Sequence, residues 1–204
     1  MENSGKSLVT RIAVIYHSAQ GTTEALARSV IAGANGLTGT EAVGIKVTGE
    51  EIVQGRYRNQ RALEQLDAAD GIVFGSPTFM GCVSAQFKAF MDATSERYSR
   101  RSWAGKLAAG FTIGSSPSGD QLNTLQTLQV FASQHGMLWI GIDLPAGSDA
   151  AARPRLGAQS GLVAAHSAAG EVHRQDHLTA EYLGSRVGEL AGLLSRGTGA
   201  TGMP

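Results

Sequence analysis

The 204-residue sequence has little of several features that mark other protein classes. Its single cysteine, Cys82, excludes an internal disulfide framework and a multi-cysteine metal site. Five prolines are too few for a proline-rich disordered chain. No apolar run approaches the roughly 18 residues of a membrane span, and the run after Lys6 and Arg11 is too short for a signal peptide. We therefore expect a cytoplasmic protein without membrane insertion.

Excess charge of either sign is also missing. The 17 basic residues balance the 17 acidic ones, which argues against a nucleic-acid partner or a membrane-surface protein. His173 and His177 have a helical metal-ligand spacing, but their charged neighbours indicate a solvated face, and no metal site is expected. Gly197–Gly202 spells G-x-G-x-x-G after a predicted helix instead of a strand, so the dinucleotide fingerprint is rejected. Gly114–Gly119 has P-loop spacing, but Asp120 replaces the required lysine.

Glycine is abundant, with 27 residues against a usual share of about 7%. Apolar residues make up 42% of the chain, enough for one sizeable core. We predict a disordered leader (1–7), a single domain (8–195) with an irregular insertion (143–175), and a disordered tail (196–204).

Apolar runs and amphipathic stretches alternate along this domain. The predicted strands are 8–16, 42–47, 71–75, 106–113 and 137–142. The predicted helices are 24–35, 60–69, 84–94, 121–135 and 176–195. This alternation predicts an α/β fold with a doubly wound, five-stranded parallel sheet and helices on both faces.

Three loops follow predicted strands, at the sheet edge where ligands bind in such folds. The first offers hydroxyls, a glycine and a helix N-terminus, which together suit a phosphate or form an ordinary helix cap. The second carries an aromatic and a thioether, which could line a flat ligand or cover the core. The third is hydroxyl-rich between glycines. The candidate residues are Ser18, Gln20, Gly21, Thr22 and Thr23; Pro77, Thr78, Phe79, Met80 and Gly81; and Ser115, Ser116, Pro117, Ser118 and Gly119.

Together these stretches resemble the flavodoxin-like NAD(P)H:quinone oxidoreductases of the WrbA type. The resemblance runs from about residue 11 to 195 and is carried by YHSAQGTTEALA, ADGIVFGSPTFMGCVSAQFKAFMDAT, GKLAAGF, SGDQLNTLQ and QHGMLWIG. It implies a flavodoxin-like fold, FMN as cofactor, NAD(P)H as electron donor and a homo-oligomer, either a dimer or a tetramer. It also implies that the first loop holds the FMN phosphate and that the other two contact the isoalloxazine ring.

The sequence departs from this family at several site positions. Gln20 stands where the family usually has an aromatic residue, and Tyr98 and Gln134 stand where it has a tryptophan and a histidine. The adjoining His135 is retained. The resemblance places Tyr98, Gln134 and His135 on the substrate side of the flavin.

The function that follows is an FMN-dependent transfer of two electrons from NAD(P)H to a small quinone-like acceptor. One alternative is a flavodoxin-type electron carrier, which zero net charge disfavours because such carriers dock through acidic surfaces. A second alternative is a flavodoxin-like binding or regulatory protein without cofactor. His17, beside the first loop, either assists the phosphate or makes a structural hydrogen bond. Cys82 is either a reactive thiol or a small buried side chain.

Overall fold

A computed structural model describes residues 9–198, with the side chains of residues 197 and 198 excepted. The predicted leader, Leu8 and residues 199–204 of the predicted tail lie outside the described residues. Residues 196–198, also assigned to the tail, continue the last helix. Within the described chain, no helix combines the length and hydropathy that crossing a membrane requires.

The longer strands and helices alternate over these residues as the hydrophobic pattern predicts. The strands are β1 Thr10–His17, β2 Thr40–Val47, β3 Ile52–Val53, β4 Arg56–Tyr57, β5 Gly71–Phe79, β6 Cys82–Val83, β7 Leu107–Gly114, β8 Leu138–Trp139 and β9 Leu162–Ala165. The helices are α1 Thr22–Asn35, α2 Gln60–Asp67, α3 Ala85–Ala93, α4 Ser95–Ser99, α5 Gln121–Gln134 and α6 Arg174–Thr198, with a 3-10 turn at Gly49–Glu51. The short elements β3, β4, β6, α4 and β9 were not predicted.

The main sheet has the order β2-β1-β5-β7-β8, and these neighbours are parallel. Counting only these five positions along the chain, the order is 2-1-3-4-5, which is the flavodoxin-like arrangement. The predicted fold class is therefore confirmed. The sheet contains seven strands instead of five, because β6 pairs antiparallel with the end of β5 and β9 pairs with β7.

The edge beyond β7 is divided between two short strands. β8 pairs with the start of β7, and β9 pairs with its end. The single strand predicted at 137–142 is wrong beyond Trp139, because there the chain turns to pair with the returning segment: the Ile142 N–H donates to the Gln159 carbonyl at 2.8 Å. A Cβ on Gly141 would lie 2.2 Å from that carbonyl oxygen. The segment predicted as irregular thus supplies β9.

The apolar strands are buried by helices on both faces of the sheet. α1 and α6 cover one core, which contains Val14 and Val73, and α2, α3 and α5 cover the other, which contains Phe74 and Phe90. Strands buried on both sides read as continuous apolar runs, which is why the pattern located them. Leu122, in the first turn of α5, is 52% exposed.

Two glycines bring α1 and α6 into direct contact. A Cβ on Gly33 would lie 1.9 Å from the Glu181 carbonyl oxygen, and one on Gly184 would lie 1.9 Å from that of Val30. Part of the glycine excess therefore serves the crossing of two helices whose sequences are far apart in the chain.

Candidate functional site

The first loop connects β1 to α1 through a left-handed glycine. Gly21 has φ 89° and begins the helix, and its N–H donates to Ser18 Oγ at 3.1 Å. The first intrahelical bond is from the Ala25 N–H to the Gly21 carbonyl. The N–H groups of Thr22, Thr23 and Glu24 therefore have no acceptor inside the helix. Such a helix N-terminus attracts anions.

Thr23 supplies the most informative polar atom of this loop. Its side chain is fully buried, yet Oγ1 has no hydrogen-bond partner among the described residues. A buried hydroxyl left without a partner costs about 1–3 kcal/mol. An acceptor bound at the helix N-terminus would remove that cost.

His17, next to this loop, is buried and neutral. Its Nδ1 has no partner, and burial together with nearby Lys46 lowers the pKa of the imidazole. Of the two predicted roles for His17, charge assistance to a phosphate is disfavoured.

The second predicted loop is mostly strand. β5 runs on to Phe79, and Met80 and Gly81 form a tight turn into β6 with φ 48° and 74°. The Asn123 amide donates to the Gly81 carbonyl at 2.7 Å and holds this turn against α5. Phe79 and Met80 are exposed at this turn, so the alternative that they cover the core is wrong.

The third loop is held by a buried glutamine. Gln121 Nε2 donates to the Ser116 carbonyl at 2.6 Å, and the Gly119 N–H donates to the same oxygen at 3.1 Å. A Cβ on Gly119 would lie 3.1 Å from that oxygen, which explains the glycine. Ser115 to Ser118 are exposed above this anchor.

The three loops meet around one cavity of about 290 Å³. Seven predicted residues line it directly, and the other eight lie in the same loops. The lining residues are Ala19, Gln20, Thr22, Thr23, Pro77, Thr78, Phe79, Ile113, Gly114, Ser115 and His166. Sequence reasoning missed His166, because it follows a short strand inside a segment without hydrophobic periodicity. The hydrogen bond from its N–H to the Gly114 carbonyl, which fixes its position after β9, gave no signal in the sequence.

The residues predicted for the substrate side lie elsewhere. Tyr98, Gln134 and His135 line a different cavity of about 580 Å³ between α3, α4 and α5, which shares no lining residue with the three-loop cavity. His135 is 4% exposed, and its Nε2 lies 2.9 Å from Thr94 Oγ1. Burial lowers the pKa of His135 to about 4, so it is neutral. Within one chain, the structure does not bring these residues to the loops.

The remaining candidates have structural contacts. Cys82 is half-buried, with Sγ 3.7 Å from Thr127 Oγ1. His177 Nδ1 lies 2.9 Å from Ser29 Oγ and so connects α6 to α1. His173 is exposed and accepts a hydrogen bond from the Gln175 N–H.

Comparison with known proteins decides the family. The family model of the NADPH-dependent FMN reductases matches residues 10–150. The chain belongs to this family. The chain is similar to the crystal structure of a flavodoxin, a WrbA-like protein from Agrobacterium tumefaciens, with a TM-score of 0.70 and 35% identity. The match covers 89% of this chain and 97% of that one. The predicted family is therefore confirmed.

Two curated relatives carry different names. The chain is 34% identical to an NAD(P)H dehydrogenase (quinone) of Archaeoglobus fulgidus over 198 residues, which cover 90% of this chain and 98% of the relative. It is 35% identical to flavodoxin FldP of Pseudomonas aeruginosa over 159 residues, which cover 76% of this chain and 80% of the relative.

The cavity suits the FMN that the family name implies. Thr23 offers an unpartnered buried hydroxyl beside free helix N–H groups, which fits a phosphate ester. Phe79 and Pro77 offer apolar surface in the same cavity, which fits a flat ring. FMN as cofactor is confirmed by the family. The individual contacting residues stay a prediction.

Proposed function

We propose that this chain is an FMN-dependent oxidoreductase that passes two electrons from NAD(P)H to a quinone or a similar small acceptor. One observation carries the proposal: the buried Thr23 hydroxyl at the N-terminus of α1 has no hydrogen-bond partner among the described residues. It lies in the cavity that the three loops line, in a chain of the NADPH-dependent FMN reductase family. The similarity to an NAD(P)H dehydrogenase (quinone) over nearly its whole length supports the choice of donor and acceptor.

The protein's part in this reaction is binding and orientation. When bound, FMN supplies the chemistry of accepting an electron pair and passing it on. The N–H groups of Thr22, Thr23 and Glu24, with the Ser18, Thr22 and Thr23 hydroxyls, would hold the phosphate. Residues 77–81 and 115–119 would hold the ring.

Anchoring of the loops prepares the site in advance. Asn123 and Gln121 hold the second and third loops through their backbone carbonyls. Thr78 Oγ1 lies 2.8 Å from both Thr112 Oγ1 and Thr124 Oγ1, a contact that ties β5 to β7 and α5. Loop donors fixed before binding need not reorganise during the reaction, which is how preorganised groups favour charge development.

The proposal extends to a homo-oligomer, either a dimer or a tetramer, working in the cytoplasm without a nucleic-acid partner. Tyr98, Gln134 and His135 would then serve the flavin site of a second copy. The exposed apolar side chains Tyr98 and Val130 beside that cavity support a covered surface. The balanced charge and the lone thiol of Cys82 support the absence of nucleic acid and a reducing compartment.

A flavodoxin-type electron carrier is the second candidate, favoured by the similarity to flavodoxin FldP. The two candidates differ in turnover. An enzyme consumes NAD(P)H steadily with a quinone and no other protein, whereas a carrier does not.

The test combines a spectrum with kinetics. The purified protein should show a flavin spectrum, release FMN on denaturation, and oxidise NAD(P)H in the presence of benzoquinone. Initial rates against both substrates should give parallel double-reciprocal lines if donor and acceptor take turns at one site. A protein that binds no added FMN would refute the proposal, and one that binds FMN but does not turn over would favour the carrier.

A further inference from the structure

One residue of the cavity lining differs from all the others. His166 is the only ionisable side chain among the residues that line the three-loop cavity. The three loops themselves contain no lysine or arginine. A phosphate monoester carries up to two negative charges. His166 is the one side chain of the lining that can become a cation, so it is the candidate for a charge-assisted hydrogen bond to such a group.

His166 is held in place through its backbone and one ring nitrogen. Its N–H donates to the Gly114 carbonyl at 3.1 Å. Its Nδ1 lies 2.9 Å from the Ser167 carbonyl oxygen. A carbonyl can only accept, so Nδ1 carries the hydrogen and donates it. Nε2 has no protein partner in the described part of the chain, and it is the atom that a second proton would occupy.

The residue before His166 is fixed by a buried ion pair. Asp176 is 1% exposed and pairs with Arg155 at 2.9 and 2.5 Å. Asp176 also accepts from the Ala165 N–H, and Arg155 donates to the Ala165 carbonyl, each at 3.4 Å. Through these hydrogen bonds the ion pair fixes the backbone at the end of β9, and this positions the next residue, His166, in the cavity lining.

The cationic side chains of Arg28, Lys46 and Arg155 are already paired with carboxylates. Glu24, in the first turn of α1, pairs with Arg28 at 2.8 Å and Lys46 at 2.7 Å, and these cations lower its pKa. Arg155 is paired with Asp176, and His17 is neutral because burial and Lys46 lower its pKa. Among the residues that line the cavity, His166 is the one ionisable side chain available to an anion bound at the first loop.

We propose that His166 binds the FMN phosphate through Nε2 and so makes this chain select FMN over riboflavin. The inference rests on the proposed function, since it assigns a residue to that cofactor. A phosphate oxygen would accept a charge-assisted hydrogen bond from the imidazolium, which is stronger than a bond between neutral groups. Neither the sequence motifs nor the family resemblance points to this position.

The experiment measures flavin binding to apoprotein of the full chain. Flavin fluorescence gives Kd for FMN and for riboflavin, which lacks the phosphate. The variants are His166→Gln, which cannot become a cation, and His166→Lys, which carries a positive charge. His173→Gln is the matched control, because His173 is exposed and lies outside the cavity lining. Thermal unfolding of each apoprotein checks that it folds.

We expect His166→Gln to weaken FMN binding about five- to tenfold while riboflavin binding changes less than about twofold, as loss of one charge-assisted contact implies. His166→Lys should keep most of the FMN affinity, and His173→Gln all of it. Unchanged FMN affinity in His166→Gln, or equal losses for both flavins, would overturn the inference alone. Failure of the wild type to bind FMN would overturn the proposed function as well.

Discussion

Replacement of Thr23 by valine should have opposite effects on the free protein and on cofactor binding. The Thr23 side chain is fully buried, and its Oγ1 has no partner among the described residues. Valine has nearly the same shape and replaces the hydroxyl by a methyl group. In the free protein, this change removes a polar group that pays a desolvation cost without a hydrogen bond.

The magnitudes follow from that unpaired atom. Leaving a buried hydroxyl unsatisfied costs about 1–3 kcal/mol, so Thr23→Val should raise the free energy of unfolding of the apoprotein by about 1 kcal/mol. A hydrogen bond to a charged phosphate contributes about 1.5–3 kcal/mol. Its loss should raise the Kd for FMN roughly tenfold or more.

Denaturant unfolding of the apoprotein and fluorescence titration with FMN measure the two effects separately. Thr179→Val is the matched control, because Thr179 is also fully buried but donates to the Gln175 carbonyl at 2.7 Å in α6. It should not stabilise the protein, and it should leave FMN affinity unchanged. A Thr23→Val apoprotein that is less stable than the wild type, with unchanged FMN affinity, would show that the hydroxyl is not held for a ligand.

Two further predictions concern stability. Gly184→Ala should cost about 3 kcal/mol in denaturant unfolding, because its Cβ would lie 1.9 Å from the Val30 carbonyl oxygen and force α1 from α6. Gly188→Ala on the same helix should cost less, since it meets the flexible end of Leu37 first, and equal losses would contradict this reasoning. Burial lowers the pKa of His135 to about 4. As the pH falls, the imidazole therefore takes up a proton at a higher pH in the unfolded chain than in the folded protein. Stability should therefore fall as pH drops from about 6.5 towards 4, by up to about 3 kcal/mol, and His135→Gln should show a shallower fall in unfolding measured across that range.

The fold was predictable because the strands of a parallel sheet that is buried on both faces are continuous runs of apolar residues. β1 and β7 appear as apolar runs, and their ends could be located to within two residues. The strands that form the sheet edge beyond β7 could not be predicted in the same way. β8 and β9 pair with the two ends of β7, and neither is long enough to carry a pattern of its own. Their place depends on a chain reversal held by contacts such as that between Ile142 and Gln159.

The three loops were recognisable because each is a continuous segment of the sequence, so its hydroxyls, its glycines and its position after a strand can be identified together. Ser18 to Thr23 could be read as a phosphate loop from hydroxyls, a glycine and the helix that follows. The lack of a hydrogen-bond partner for the Thr23 hydroxyl could not be predicted from the sequence, because it depends on how residues distant in the chain pack around it. The separation of Tyr98 and His135 from those loops likewise depends on how α4 and α5 pack.

The alternation of the main strands and helices and the loops around the cavity follow from the sequence pattern, because each rests on residues that are neighbours in the chain. The flavodoxin-like class followed from the family resemblance of the sequence. The tertiary structure alone decided the glycine contacts of α1 with α6 and the presence of His166 and Thr23 in the lining of one cavity. Both join segments more than a hundred residues apart. Hydrophobic periodicity records which face of an element is buried, but not which partner buries it.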